Sequence, residues 1–408
     1  MRYIGIQHRV KRTTEGEARP TMVSIREGDF IEEIKLETEQ DEFDFLLDHL
    51  PTAWRVIEDG EDISHIPQRH IHLRKSKKPD ETVKYIPTTY EGLHTGDVVG
   101  MVLGGSGDYF AAALSKKLEI LGTGNVLRIP PNRLKEKRGD TTKDGDHSLL
   151  MKLVHDEPDL FYPVTLKDRD LIRVSGCFKD RVEAQKARIA AENRLRQRVI
   201  GQIFLSEEGG YPEGELEDLF KQRKANNVIV SSLIQEEKEA DKRLRHAVQR
   251  LAVWEHIFEP IQGMGEVIAA GIISQVVDIR RFSKASKLVA YCGVHVLPDD
   301  RFPRKRHGTV ANWDNEARQR LYLFGDQCVK QANGEWGKYL RAAKVRLRER
   351  HPVPVIGENG KKKYTDGHIH KMAIWRTLTR FTEWLYREWT KLESDNATPL
   401  KANEERAA

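Results

Sequence analysis

The sequence predicts an α/β amino-terminal domain, a long antiparallel helical stalk and an all-α carboxy-terminal domain, on three observations. Short apolar, β-branched runs near the start alternate with helix-spaced segments, the pattern of strands joined by crossover helices. Two long, densely charged segments follow, and in the second the apolar residues recur at alternating four- and three-residue steps, a coiled-coil seam. The remainder reads as amphipathic helices separated by glycine and proline turns. Residues 1–160 form the α/β domain, 165–257 the stalk, 258–392 the helical domain and 393–408 a solvated, flexible tail.

In the first domain, Tyr3-Ile4-Gly5-Ile6, Met22-Val23-Ser24-Ile25 and residues 30–36 read as three strands, the last two joined by a Gly28-Asp29 turn. Phe43, Leu46, Leu47 and Leu50 mark one helix face. Strands are expected at 54–57 and 98–103, on either side of a polar segment, and at 126–129 before Pro130-Pro131. Phe110, Leu114 and Leu118 line a helix between the last two. Gly104-Gly105-Ser106-Gly107 lacks the Lys-Ser or Lys-Thr ending of a nucleotide loop, so it reads as a tight turn. His65, His70, His72 and His94 have no cysteine to reinforce a metal site and lie among lysines, as in a solvated loop.

The stalk consists of residues 167–202 and 215–258, reversed near Gly209-Gly210. Ala240, Leu244, Ala247, Leu251, Trp254 and Phe258 form its seam, which is expected to meet a second subunit and give a homo-oligomer, the alternative being a helix hairpin lying on its own domain. Beyond it, Gly263 and Gly265 pivot a hairpin between apolar anchors Ile261, Val267, Ile268 and Ile272. Such a helix-hairpin-helix-like element can present backbone amides to a nucleic-acid phosphate. Trp336 and Tyr339 anchor a helix to the core, and Ile374, Leu378, Phe381 and Leu385 define the final helix.

Composition fits a nucleic-acid partner without demanding one. The formal charge is +5, the pI is about 8.8, and 32% of residues are charged. Positive runs at 128–138, 301–306, 338–350 and 361–363 could neutralise phosphates. An apolar fraction of 38% supports folded cores, and three widely spaced cysteines give neither a disulfide framework nor a zinc signature. Lacking a signal segment or a membrane-length apolar run, the chain is expected in the cytoplasm with no membrane partner.

The residues Ile261, Gly263, Gly265, Ala270, Asp278, Arg281, Phe282, Leu288, Ala290, Tyr291 and Gly293 stand in an ordered run, continued by Gly308, Asn315, Arg318 and Leu321. This run resembles the carboxy-terminal domain of the IS110/IS116 group of insertion-sequence transposases. The resemblance implies a ribonuclease-H-like amino-terminal domain, DNA as partner, a structured guide RNA in some relatives, and site-specific strand exchange. It also implies clustered carboxylates holding two magnesium ions about 4 Å apart, together with a serine nucleophile. Here the chain departs from the pattern, with Gln7, Gly104 and Lys143 at three of the four acidic positions. Asp146 remains as the catalytic and metal-ligating candidate, with Asp144 close by, and Mg2+ is the cofactor if the chain is active. No serine occurs between Gly293 and Gly308, and Thr309 lies beyond the family position. Arg301, Arg304, Lys305, Arg306 and Arg318, with Gly263 and Gly265, are the nucleic-acid-binding candidates. The resulting expectation is a transposase-like DNA-binding and recombination protein with weak or absent catalysis. Its alternatives are an inactive binding or regulatory relative and a structural coiled-coil protein.

Overall fold

An antiparallel meander opens the chain. Strand β1 (Arg2–Gln7) pairs with β2 (Thr21–Glu27), which pairs with β3 (Phe30–Leu36), placing Ile4 opposite Ile25 and Val23 opposite Ile34. Gly28, at φ 60, supplies the left-handed backbone of the two-residue turn between β2 and β3. The computed structural model describes residues 1–10, 18–58, 60–75, 82–205, 215–297, 301–305, 307–308, 310–356 and 362–395. Two units divide the chain, Met1–Arg169 and Asp170–Ala408.

In the first unit, α1 (Glu39–Leu46) follows the meander, its start fixed by a reciprocal Thr38–Asp41 capping box. Strands β4 (Leu50–Val56), β5 (His72–Lys75) and β6 (Thr82–Glu91) then make a separate antiparallel sheet in the order β4-β6-β5. The main sheet resumes with β7 (Val98–Val102) and β8 (Asn125–Ile129), and the short β9 (Tyr162–Pro163) closes its edge. Strand β7 runs parallel to β1, β8 runs parallel to β7, and the order is β3-β2-β1-β7-β8-β9. Helices α2 (Asp108–Leu121), α3 (Pro131–Arg138) and α4 (Asp146–Asp156) complete the unit.

Each face of the main sheet has its own core. Ile4, Ile6, Val23, Val99 and Met101 pack with Phe45 of α1 and Leu114 and Leu118 of α2. Ile129 joins Leu150, Leu153 and Val154 of α4 in a second cluster. Close approach of α4 to β1 depends on Gly5, where a Cβ atom would run into the His147 carbonyl and the Met151 amide. Arg2 anchors the start of β1: its guanidinium forks onto Asp97 at 3.0 and 2.9 Å and reaches Glu91 at 2.7 Å. Burial alone would lower its pKa, but these carboxylates hold it above the ordinary arginine value.

Two expectations need correction here. The helix expected on Phe43, Leu46, Leu47 and Leu50 ends at Leu46; Asp48, at φ 62, turns the chain, and Leu50 already belongs to β4. Its buried face carries Phe45 with Glu42 and Asp44, while Phe43 is 52% exposed. Those acids can be buried because Thr21 donates to Glu42 while Arg69 donates to Asp44, where His70 also bonds. His70 is therefore buried rather than in a solvated loop, and His72 stacks on Trp54.

The second unit is helical. It contains α6 (Leu216–Ala225), α7 (Val228–Val248), α8 (Glu266–Val276), α9 (Ala285–Tyr291), α10 (Asn315–Lys330), α11 (Glu335–Arg350) and α12 (Asp366–Asp395). Most of α5 (Leu166–Phe204) also belongs to it. The second stalk segment is interrupted, because the Asn227 side chain accepts from the Val230 amide and starts α7 anew. After Val248 a π-helical turn spans Trp254–Phe258. Helices α5 and α7 run antiparallel, joined by Arg188–Glu237 and by Arg181 to Asp241 at 3.5 Å.

The seam is covered by the chain itself. Leu244, Ala247, Leu251, Trp254 and Phe258 are buried in one core with Val174 and Phe178 of α5, Ile272 and Ile273 of α8, and Phe324 and Phe381 of α10 and α12. Sequence spacing shows that a stripe is apolar but not which surface covers it, and here the same chain supplies the cover.

Candidate nucleic-acid interface and the acidic positions

At the end of β1, Gln7 occupies the first acidic position, and its amide donates to the Lys143 carbonyl at 2.6 Å. Asp146 opens α4 and is gripped by Arg138, Nε to Oδ1 at 2.6 Å and a terminal nitrogen to Oδ2 at 2.7 Å. Both side chains are largely buried. Both Asp146 oxygens thus accept from one guanidinium, which a cation would have to displace. Asp144 is 81% exposed and lies 3.7 Å from Arg19. Gly104 lies in the turn after β7 at φ 79. Among the described residues no three His, Cys, Asp or Glu side chains converge as a cation would require. As placed, the residues at these positions do not fit a paired magnesium site.

Successive strand residues point to opposite faces, so His8 leaves β1 on the side away from Gln7. There His8 Nδ1 lies 2.9 Å from Ser106 Oγ and Nε2 lies 3.3 Å from Glu42. Burial would raise the Glu42 pKa, yet hydrogen bonds with His8 and Thr21 and the nearby Arg9 hold it below the usual carboxylate range. Ser106 also donates to the Arg9 carbonyl at 2.8 Å, which fastens the Gly104–Gly107 turn to the end of β1. Sequence reasoning found the tight turn but not this clasp, because no spacing rule links residues 8, 42 and 106.

The glycine hairpin is tight. Gly263 takes φ 88 against the side chains of Gln327 in α10 and Gln331 at its C-cap, while Gly265 is the N-cap of α8. The first turn of α8 carries Glu266, whose carboxylate is met by Arg245 at 3.3 Å and Gln249 at 3.2 Å. Many residues of the ordered run serve the fold. Asp278 accepts a forked pair from Arg280, and Arg281 lies over the Tyr291 ring at 5.0 Å. The Tyr291 hydroxyl donates to the Gln275 carbonyl at 3.1 Å.

Arg301, Arg304 and Lys305 are exposed, whereas Arg306, like Thr309, lies outside the described residues. Arg318 is different. Its guanidinium sits 4.6 Å from both the Trp313 and Trp375 rings and donates to the Pro303 carbonyl at 2.7 Å, holding the basic segment in place. Burial lowers its pKa.

The positive run at 128–138 is not a free patch. Arg128 is buried and paired with Asp108 at 2.9 Å, Lys137 meets Glu157 at 2.5 Å, and Arg138 holds Asp146. On α11, Lys338, Arg341 and Arg346 are exposed. Trp336 is core, edge-on to Phe381 at 5.1 Å, as expected of an anchor.

A mixed α/β unit followed by long helices and a helical unit that carries a glycine-turned hairpin and an exposed basic segment is therefore the class of architecture. Residues 255–341 match the family model described as Transposase IS116/IS110/IS902 family. The match runs from the π-helical turn through α8, α9 and α10 into α11, about a fifth of the chain, and supports kinship with that family. No curated protein matches the chain. Among the described residues no helix is long and apolar enough to cross a membrane.

Proposed function

We propose that this transposase-related protein binds nucleic acid through its carboxy-terminal unit and does not carry out two-metal strand cleavage. The family match over residues 255–341, coinciding with the hairpin and the exposed basic segment, is the observation that carries the reading. Arg301, Arg304 and Lys305 make phosphate contacts, and Arg318 fixes the segment that bears them. Gly263 and Gly265 shape the turn that brings α8 onto α10. DNA is the proposed partner, and a structured RNA is the second ligand to test. An antiparallel meander running into parallel strands, with α4 across β1, supports the ribonuclease-H-like reading of the first unit. The Arg138 grip on Asp146 favours an inactive binding relative over an active recombinase.

Affinity for duplex DNA and for a structured RNA, measured by fluorescence anisotropy at several salt concentrations, tests this reading. At least one ligand should show a steep negative dependence on salt, shallower by about 2 in the Arg304→Gln/Lys305→Gln variant. A flat response in the unaltered protein would overturn it.

A further inference from the structure

The three-stranded sheet of β4, β5 and β6 gathers aromatic rings on one outward face. Opposed residues in an antiparallel sheet project to the same side, so the register sets Val56, Tyr85 and His72 in one row, with Trp54, opposite Pro87, and Arg74 in the rows to either side. Trp54 and His72 come from the two outer strands, yet their rings stack at 4.9 Å with planes 20° apart. Arg74 lies over the Tyr85 ring at 5.2 Å. The stack is not core: Trp54 is 39% exposed and Val56 48%, and His72 and Arg74 are exposed as well. Flat apolar surface is thereby held in water, where a second flat group laid on it would be stabilised. Of the strand residues in these three rows only Arg74 carries a permanent charge, and none is a carboxylate, so the face complements an anion.

We propose that this face is a base-stacking platform for single-stranded DNA, separate from the basic segment at Arg301, Arg304 and Lys305. The proposal rests on the nucleic-acid reading above and extends it to unpaired bases. Every base has a π face, so exposed rings on a rigid sheet take bases without reading their sequence. In a duplex those faces are already covered by neighbouring base pairs, and the platform therefore selects an unpaired strand. Arg74 supplies the cation for the strand's phosphate, and its place over Tyr85 orients the guanidinium beforehand. No carboxylate or amide side chain in these rows offers an acceptor to a ribose 2′-hydroxyl, so nothing there favours RNA over the DNA proposed above.

The anisotropy titration is repeated with a labelled oligodeoxythymidine, an oligouridine and a blunt DNA duplex. Alongside the unaltered protein it uses Trp54→Leu, Trp54→Phe, Arg74→Gln and, for reference, Arg304→Gln/Lys305→Gln. Circular dichroism monitors folding, and His72→Ala, at an exposed position, replaces Trp54→Leu if that variant fails to fold. Trp54→Leu should weaken oligodeoxythymidine binding about tenfold and leave duplex affinity unchanged, because only unpaired bases can lie on the ring. Trp54→Phe should keep most of the affinity. Arg74→Gln should make the single-strand salt slope shallower by about 0.7, one phosphate contact. If the Trp54 or His72 variant binds oligodeoxythymidine like the unaltered protein while Arg304→Gln/Lys305→Gln weakens duplex binding, the platform is overturned and the nucleic-acid reading stands. Equal weakening toward strand and duplex overturns unpaired bases as what the face selects. A loss confined to oligouridine overturns DNA as the occupant. An unaltered protein insensitive to salt with every ligand overturns both readings.

Discussion

His368 shows how one side chain can be tuned by the surface it borders. Its Nδ1 accepts from the Tyr364 amide at 2.9 Å, and the Tyr364 ring stacks between His351 and His368. Burial first, and then the positive charge of Arg304, Lys363 and Lys371, holds its pKa below the ordinary value of 6.5. An unfolded chain therefore binds a proton at this site at higher pH than the folded one. Stability from this group is complete above about pH 6.5 and is lost as pH falls toward the folded value. The thermal midpoint should drop between pH 7 and 5.5, and His368→Gln should make that drop smaller. Equal pH dependence in the two proteins would show that neither burial nor these charges shift the imidazole. Asp146 carries the opposite lesson about residues: its register is legible in sequence, but the Arg138 fork onto both of its oxygens is a product of the fold.

Among the elements, the seam of α7 has the plainest mechanical consequence. Leu244 is completely buried among the α5 side chains and the helical core, so truncating it leaves a cavity inside one chain. Leu244→Ala should cost about 2 to 5 kcal/mol in urea denaturation and leave the sedimentation coefficient of the folded protein unchanged. Dissociation to a smaller folded species without loss of stability would restore the seam to an interface between subunits. The interruption at Asn227 follows from local chemistry. An asparagine that can cap the next helix competes with continuation of the previous one, so periodicity alone overestimates the length of the second stalk helix.

Across the whole molecule, legibility followed the density of apolar runs. Strands β1, β2, β7 and β8 could be read directly because they lie in a sheet covered on both faces, and their apolar runs are dense. In the sheet of β4, β5 and β6 only the end of β4 was read, and β5 and β6 were missed because charged and polar residues break their short apolar runs and Leu73 and Tyr90 are exposed. Positive charge could be counted in sequence but not assigned. Arg128 and Arg138 proved to be structural pairs, whereas Arg304 and Lys305 are exposed. The central claim is that nucleic acid is held but not cut by a two-metal centre. Its most direct measurement is one incubation of the protein with duplex DNA and Mg2+, divided between a native and a denaturing gel. Retarded DNA that remains full-length is the predicted result. Broken strands that follow the protein through gel filtration and vanish when the metal is chelated would contradict it.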